Sequence, residues 1–547
     1  MNRTDKRLVA HTALATAIIY LVLIQPNHPA ALGWRALFVF PLELPVVVLA
    51  MVAFGDGRVG RFVRAMITAA LTLLVVLKTA DFIMFTALNR GFNPVADISL
   101  VWSLVQLIDG AFGVVAGYLA VLGALLAIML VALLLWWSLG LWARFDIPFG
   151  RRLASVTGAG LFAVFCAAEI GDAMGRWSLP IDPPGSAFTA RVGVERVEMT
   201  RKTLADLQAF QQAAANDPYA GNDSLLRLID RDTLIIFVES YGRTSFDTPQ
   251  YADLHLATLR EGEATLRAAG LSMATRFLSS PTRGGQSWLA HATFANGLWV
   301  DGQTSYGAVL ASGRQSLFHI AARSGFHTAT VMPQITLDWP EAEFMGFETV
   351  LVAEDLGYAG EAFNWVTMPD QFTLAALDRL LRSPGDDDRP LFAQAALVSS
   401  HAPWVPVPDL LDWETIGDGT IYNETVQSGD APRDVWRDRD RVRAQYRLAV
   451  DYALQTVLAY AELHASEPPL MIVIGDHQAT NFVALDERPD VPIHVIGPSH
   501  LVEPLQAAGF EQGLIPAEDS PVVPMDQMRN VIIDVYSAEQ LVGHARQ

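Results

Sequence analysis

The strongest constraint on this chain is an unbroken apolar run, ALLAIMLVALLLWW, at the centre of residues 113–141. A helix through that stretch exceeds the roughly 20 apolar residues needed to cross a bilayer. Comparable runs occupy 8–24, 36–54, 63–88 and 153–171, so about five transmembrane helices are expected. Pro41, Glu43 and Pro45 interrupt the second of them. The first lacks a clear small-residue cleavage site and further spans follow it, so it reads as an anchor rather than a signal peptide. The mean hydropathy of +0.28 reflects this segregation. Beyond about residue 172 the chain reads as an ordinary globular sequence.

Basic residues give an orientation. Arg3, Lys6 and Arg7 precede the first run, Arg58, Arg61 and Arg64 lie in the second connection, and Arg144, Arg151 and Arg152 in the fourth. The other two short connections carry only Arg35 and Arg90. Basic loops stay inside. The expectation is a multi-pass protein of the inner (cytoplasmic) membrane, with everything after residue 172 on the periplasmic or extracytoplasmic side. Lys78 and Asp81, three apart in the third run, are expected to snorkel near the outer interface rather than form a functional pair. The segment 91–111, with SLVWSLVQLI, is too short to span and is expected to lie at the interface. A net charge of −20 excludes nucleic acid as a partner, because phosphate backbones demand basic surfaces. The sole cysteine, Cys166, lies in an apolar run. The exported part therefore has no disulfides and depends on core packing and metal.

Three regions follow: a transmembrane domain over 1–172, a partly helical linker near the membrane surface over 173–230, and a catalytic domain over 231–547. The linker opens on Pro180, Pro183, Pro184 and Gly185. In the last region short β-rich runs (233–238, 327–332, 391–398, 470–474 and 493–496) alternate with amphipathic helical segments. Buried strands alternating with helices imply an α/β domain with a mostly parallel central sheet, covered by helices on both faces. The acidic, aromatic segment 405–445 is a candidate rim or lid.

Ligands of open α/β sheets bind beyond the carboxyl ends of strands. Glu239 and Ser240 follow 233–238, Ser399, Ser400 and His401 follow 391–398, and Gly475, Asp476 and His477 follow 470–474. A carboxylate after one strand is more often a helix cap, and a lone histidine is more often structural. Three such strand ends in one domain shift the balance toward a site for one divalent metal ion, Mn, Mg or Zn.

The segments FVESYG (237–242), GGQSWLAHATFANG (284–297), SSHAPW (399–404), YRLAVDYALQTVLAY (446–460) and VIGDHQ (473–478), in that order, resemble the alkaline phosphatase and sulfatase superfamily. The resemblance is to its membrane-bound headgroup transferases: lipoteichoic acid synthase, phosphoglycerol transferases and phosphoethanolamine transferases. It implies that Glu239, Asp476 and His477 bind the metal, joined by a nucleophilic serine at the start of a helix. It implies that His401 contacts substrate or protonates the leaving group. The donor it implies is a membrane phospholipid, and the acceptor a glycan or lipid.

Two serines compete as nucleophile. Ser279-Ser280-Pro281-Thr282-Arg283 mimics the sulfatase pattern. Ser287 has Asn296-Gly297 about ten residues on, where such a helix ends, while Pro281, Gly284 and Gly285 favour a loop at 279–285. The expected nucleophile is Ser287, with Arg283 as a phosphate contact. Trp339 stands where the synthase has a Trp-x-Arg headgroup element, but Glu341 replaces the arginine; an acid there suits a cationic headgroup. Gln478 stands where glycine often follows Gly-Asp-His. Asp451, His494, His291, Trp404 and Trp413 are expected to be structural. The expected activity is transfer of a phosphoglycerol- or phosphoethanolamine-type headgroup through a covalent serine intermediate. Hydrolysis of phosphate or sulfate esters by the same residues, and a non-catalytic scaffold, are the alternatives. Lack of cysteine in the exported part counts against a formylglycine sulfatase.

Overall fold

The computed structural model describes residues 3–88, 91–98, 100–102, 104, 105, 108, 113–145, 147–181, 183–337, 339–383 and 387–537. The chain divides into two units, Met1–Asp206 and Leu207–Gln547.

The first unit is helical: α1 (Arg3–Ile24), α2 (Glu43–Phe54), α3 (Arg58–Leu88), α4 (Val114–Ala143), α5 (Phe149–Ala173) and the start of α6 (Phe188–Ala215). Among the described residues four helices are long and apolar enough to cross a membrane: Lys6–Ile24, Arg58–Thr86, Val115–Ala143 and Phe149–Ala173. The expected span over 36–54 is divided. Its first part is a 3-10 turn over Trp34–Phe38, and α2 holds only 12 residues. At 1.5 Å per residue α2 is about 18 Å long, short of the ~30 Å hydrocarbon core. Pro45 sits in its first turn, where a missing N–H costs little. Residues 99, 103, 106, 107 and 109–111 of the expected interfacial stretch lie outside the described residues.

Lys78 and Asp81 are a correction. They do not pair with each other, and both are fully buried within the unit, where a snorkelling side chain would be exposed. Lys78 Nζ donates to the Val22 carbonyl (2.8 Å) and to Thr189 Oγ1 (2.9 Å). Val22 lies in the last turn of α1, whose carbonyls have no helical partner and attract a cation. Asp81 accepts from Arg196 Nη2 (2.7 Å) and from the Phe92 amide (2.9 Å). Apolar surroundings offer no water, so these groups find partners within the unit.

The second unit is built on one mixed sheet: β1 (Thr233–Val238), β2 (Ser272–Ser279), β3 (His327–Met332), β4 (Thr349–Val352), β5 (Leu391–Leu397), β6 (Leu470–Gly475), β7 (Asp490–Gly497), β8 (Glu511–Gln512) and β9 (Val522–Pro524). The order is β4-β3-β5-β1-β6-β7-β2-β8, with β9 beside β2. β4, β3, β5, β1 and β6 run parallel, while β7 is antiparallel to both β6 and β2. Every residue of β1 is buried, as a central strand covered on both faces requires. Leu234, Ile236 and Val238 face α7 (Pro249–Ala268) and α12 (Arg439–Leu463). Ile235 and Phe237 face α8 (Ser287–Asn296), α10 (Leu317–Arg323) and α13 (Met528–Tyr536). Between these helices in the chain lie α9 (Gln303–Leu310) and α11 (Asp370–Leu377). The carboxyl ends of β3, β5, β1 and β6 thus open on one edge.

Candidate active site and metal centre

Glu239 directly follows β1 and Asp476 directly follows β6, its parallel neighbour. The two strand ends are stitched together. Asp476 Oδ1 accepts from the Ser240 amide (2.9 Å) and the His477 amide (2.6 Å). Ser400 Oγ donates to the Glu239 carbonyl (2.6 Å), and Ser280 Oγ to the Asp476 carbonyl (2.6 Å). Gly475 is required here: a Cβ on it would sit 1.8 Å from the Tyr241 carbonyl oxygen. Ser240 adopts φ +57°, a left-handed conformation costly for a residue with a side chain. Gln286, just before Ser287, does the same at φ +65°.

Ser287 is the first residue of α8, which ends at Gly297 in a left-handed cap, φ +62°. Ser287 Oγ donates to Glu239 Oε2 at 2.8 Å and lies 3.4 Å from His477 Nε2. His477 Nε2 is 3.1 Å from Glu239 Oε1. At the far end of α8, the buried Arg314 donates to the Asn296 carbonyl (2.8 Å) and the Gly297 carbonyl (3.3 Å). Both ends of the helix that presents Ser287 are therefore fixed. Ser279 lies elsewhere: it closes β2, paired opposite Asp490.

One ligand atom each from Glu239, Asp476 and His477 falls within a 4.8 Å cluster, and all three residues are buried. Burial alone would raise the Glu239 carboxyl, but the charge and hydrogen bond of His477 hold it below its ordinary value. Burial and the Glu239 charge push Asp476 well up. Burial lowers the His477 imidazole, yet Asp476 and Glu239 outweigh it and carry it up to about 9. Two buried carboxylates thus compete for one positive neighbour, an arrangement that a cation relieves. The donor set fits a divalent ion: carboxylate oxygens, a hydroxyl and one imidazole suit Mn, Mg or Zn. The His477 Nδ1–H points to the Gln478 carbonyl (3.1 Å), leaving Nε2 toward the cluster, as a ligating histidine requires.

His401 sits on the turn after β5, the parallel neighbour of β1, and lines a small cavity with Ser399 and Trp404. With Nδ1 donating to the Ala402 carbonyl (2.6 Å), Nε2 is the ring atom left for substrate. Two expected substrate contacts have other partners. Arg283 is exposed and its guanidinium donates to the Glu487 carbonyl, because the 282–285 loop is pinned by the Gly284 amide on the Gln478 carbonyl (2.8 Å). Trp339 packs near Phe347, with ring centroids 6.4 Å apart. Asp338 lies outside the described residues.

Gln478 has a local reason. Its Oε1 accepts the Thr244 amide (3.1 Å), a contact glycine cannot make. His494 bridges Tyr241 Oη (3.0 Å) and Thr275 Oγ1 (2.9 Å) in the core, and Asp451 accepts from Thr258 (2.6 Å) and Gln455 (2.6 Å). His291 packs on Phe237 with ring centroids 4.0 Å apart and the rings tilted by 32°. Trp404 stacks on Trp436 and donates to the Ser400 carbonyl (2.7 Å), and Trp413 packs near Tyr460. Sequence reasoning missed Asp370. It is buried, and its Oδ1 accepts from the Val398 (2.6 Å) and Ser399 (2.8 Å) amides, fixing the turn that carries His401. The only sequence signal is Pro369-Asp370 at a helix start.

Residues 231–483 match the Sulfatase family model. No curated protein sequence matches the chain. Among solved structures the chain is similar to the lipoteichoic acid synthase LtaP from Listeria monocytogenes (13% identity, 61% of this chain and 78% of that one, TM-score 0.38). It is also similar to the Streptococcus pyogenes phosphoglycerol transferase GacH in complex with sn-glycerol-1-phosphate (10% identity, 61% and 80%, TM-score 0.37). A third is the C-terminal periplasmic domain of EcEptC from Escherichia coli (14% identity, 56% and 82%, TM-score 0.34). The Sulfatase match lies wholly within the second unit, over the strands that carry Glu239, His401, Asp476 and His477.

Proposed function

We propose that the protein is a metal-dependent transferase that moves a phospho-headgroup, of phosphoglycerol or phosphoethanolamine type, from a membrane phospholipid to a glycan or lipid acceptor. The observation that carries this reading is the Ser287 hydroxyl at the head of α8, held on Glu239 beside Asp476 and His477. In the first half-reaction Ser287 Oγ attacks phosphorus, and the bond from phosphorus to the diacylglycerol oxygen breaks. Glu239 Oε2 already accepts the hydroxyl hydrogen. His401 Nε2, once protonated, hands a proton to the departing oxygen. In the second half-reaction an acceptor hydroxyl displaces Ser287 and takes the headgroup phosphate. Glu239, Asp476, His477 and Ser287 would hold a divalent cation, which would supply Lewis acidity at the serine hydroxyl.

The membrane placement belongs to the same proposal. Nine basic residues on alternate connections against two favour a cytoplasmic N-terminus. Four crossings alone would return the chain to its starting side, so the reading has the segment 36–54, α2 included, complete a fifth. The experiment is a product analysis with purified protein, headgroup-labelled phospholipid and a candidate acceptor. A new labelled conjugate with equimolar diacylglycerol supports transfer; free headgroup phosphate alone means a hydrolase.

A further inference from the structure

The carboxyl edge of the sheet, where Glu239, Asp476 and His401 emerge, has an apolar rim. The segment after β3 carries Leu337 at 80% exposure and Phe344 at 58%, and the neighbouring loop carries Trp365 at 76%. These two segments are tied together: Gln334 Nε2 donates to the Trp365 carbonyl (2.5 Å), and Thr367 Oγ1 to the Pro333 carbonyl (2.6 Å). They also reach the site. Phe363 and Val366, flanking Trp365, line one small cavity with Ser399, His401 and Trp404. Trp288, next to Ser287 in α8, is 44% exposed. Large apolar side chains at such exposure, carried on two segments tied to each other, are unlike the scattered apolar residues of an ordinary surface.

We propose that this rim is a membrane-docking surface, with Leu337, Phe344, Trp365 and Trp288 entering the interfacial layer of a zwitterionic phospholipid bilayer. Three observations select that partner. Tryptophan combines an apolar ring with a polar N–H and prefers the headgroup boundary. The rim bears Glu341 and Glu343 rather than a basic cluster, and the chain carries −20, so attraction to anionic lipid is not the driving term. The same polypeptide contains four helices of bilayer-crossing length, so a lipid surface is always at high effective concentration. Docking sets the Ser287 opening at headgroup depth, where a phosphodiester is reached without lifting the lipid from the bilayer. This last step rests on the lipid-donor reading; the docking itself does not.

The test uses the full chain in phosphatidylcholine nanodiscs, with Cys166 replaced by alanine. A polarity-sensitive fluorophore is placed at Leu337→Cys, at Trp365→Cys, or at Ser466→Cys in the exposed turn before β6, at the opposite edge. Headgroup-depth spin-labelled lipid should quench the first two on the order of threefold more than the third, and raised salt should not remove the difference. Equal quenching at all three positions, or none at 337 and 365, overturns the proposal. A signal that appears only with two proteins per disc also overturns it, in favour of a contact between copies. A second measurement uses Leu337→Ser/Trp365→Ser. It should raise KM for bilayer-borne substrate on the order of tenfold, with turnover of a water-soluble phosphodiester unchanged. If the quenching holds and no phospholipid is consumed, the docking stands and the substrate reading fails.

Discussion

Ser287 Oγ and Glu239 Oε2 lie 2.8 Å apart, although 48 residues separate them in the chain. The contact joins the first residue of a helix to the residue that follows a central strand. It places a hydroxyl where the field of a helix start and a buried acidic cluster meet.

Replacing Ser287 with alanine should lower kcat by about three orders of magnitude or more while leaving the fold intact, because Ser287 is half-buried and α8 is held by Arg314 at its other end. Ser287→Thr keeps a hydroxyl at the same position and should retain measurable turnover. Steady-state kinetics with a soluble phosphodiester read both variants. Full activity in the alanine variant would remove Ser287 from the chemistry.

Chelation should abolish turnover, with recovery on adding Mn, Mg or Zn. Asp476→Asn and Glu239→Gln should each weaken metal binding at least on the order of tenfold, since each removes a charge from a three-residue buried set. Calorimetric titration of metal into chelated protein reads this. Unchanged binding in both variants would mean the cluster is not the metal site.

Asp370 should matter to stability and to catalysis. Asp370→Ala leaves the Val398 and Ser399 amides without their buried acceptor, at about 2–4 kcal/mol. The turn carrying His401 then loosens, so kcat should fall more than KM rises. Thermal unfolding and kinetics on one preparation separate the two effects. A stable, fully active variant would show that the turn holds without it.

Stability should fall on mild acidification. Burial pushes the His494 imidazole down to about 3 and that of His255 down to about 4, although the latter's bond to the Arg447 carbonyl partly opposes the shift. The unfolded chain protonates both near pH 6.5. Below that pH the unfolded state takes up protons that the folded state refuses, so stability drops as pH falls from 6.5 toward 4. The slope for two such sites approaches about 2.7 kcal/mol per pH unit. Above pH 6.5 both states are neutral and the contribution is constant and complete. Unfolding midpoints of the solubilised chain between pH 4.5 and 7.5 measure it, and His494→Gln should remove about 1.4 kcal/mol per pH unit from the slope. A slope unchanged by His494→Gln would contradict the neutral, buried assignment.

Much of this was legible in the sequence because it depends on short-range patterns. Alternating strands and helices gave the α/β layering, and strand-end residues converge wherever parallel strands share an edge. The ten-residue step from Ser287 to Gly297 marked a helix whose start and stop are local signals. What escaped depends on contacts between distant segments. Lys78 meets Thr189 111 residues away, which no helix-face argument could show. Arg283 meets the Glu487 carbonyl, 204 residues away, a contact its loop pattern does not announce. The antiparallel direction of β7 follows from how the chain returns to the sheet, not from the composition of the strand. Asp370 reads as a helix-start acid, and only the fold brings it under the His401 turn.

The most direct test is a trapping experiment. The detergent-solubilised, metal-loaded protein is incubated with headgroup-labelled phospholipid without acceptor, quenched in acid and digested. Mass spectrometry should find the headgroup phosphate on the peptide containing Ser287, with one diacylglycerol released per adduct and no adduct in Ser287→Ala. Phospholipid turnover with the label on another residue, or with no adduct and an active Ser287→Ala protein, would contradict the account.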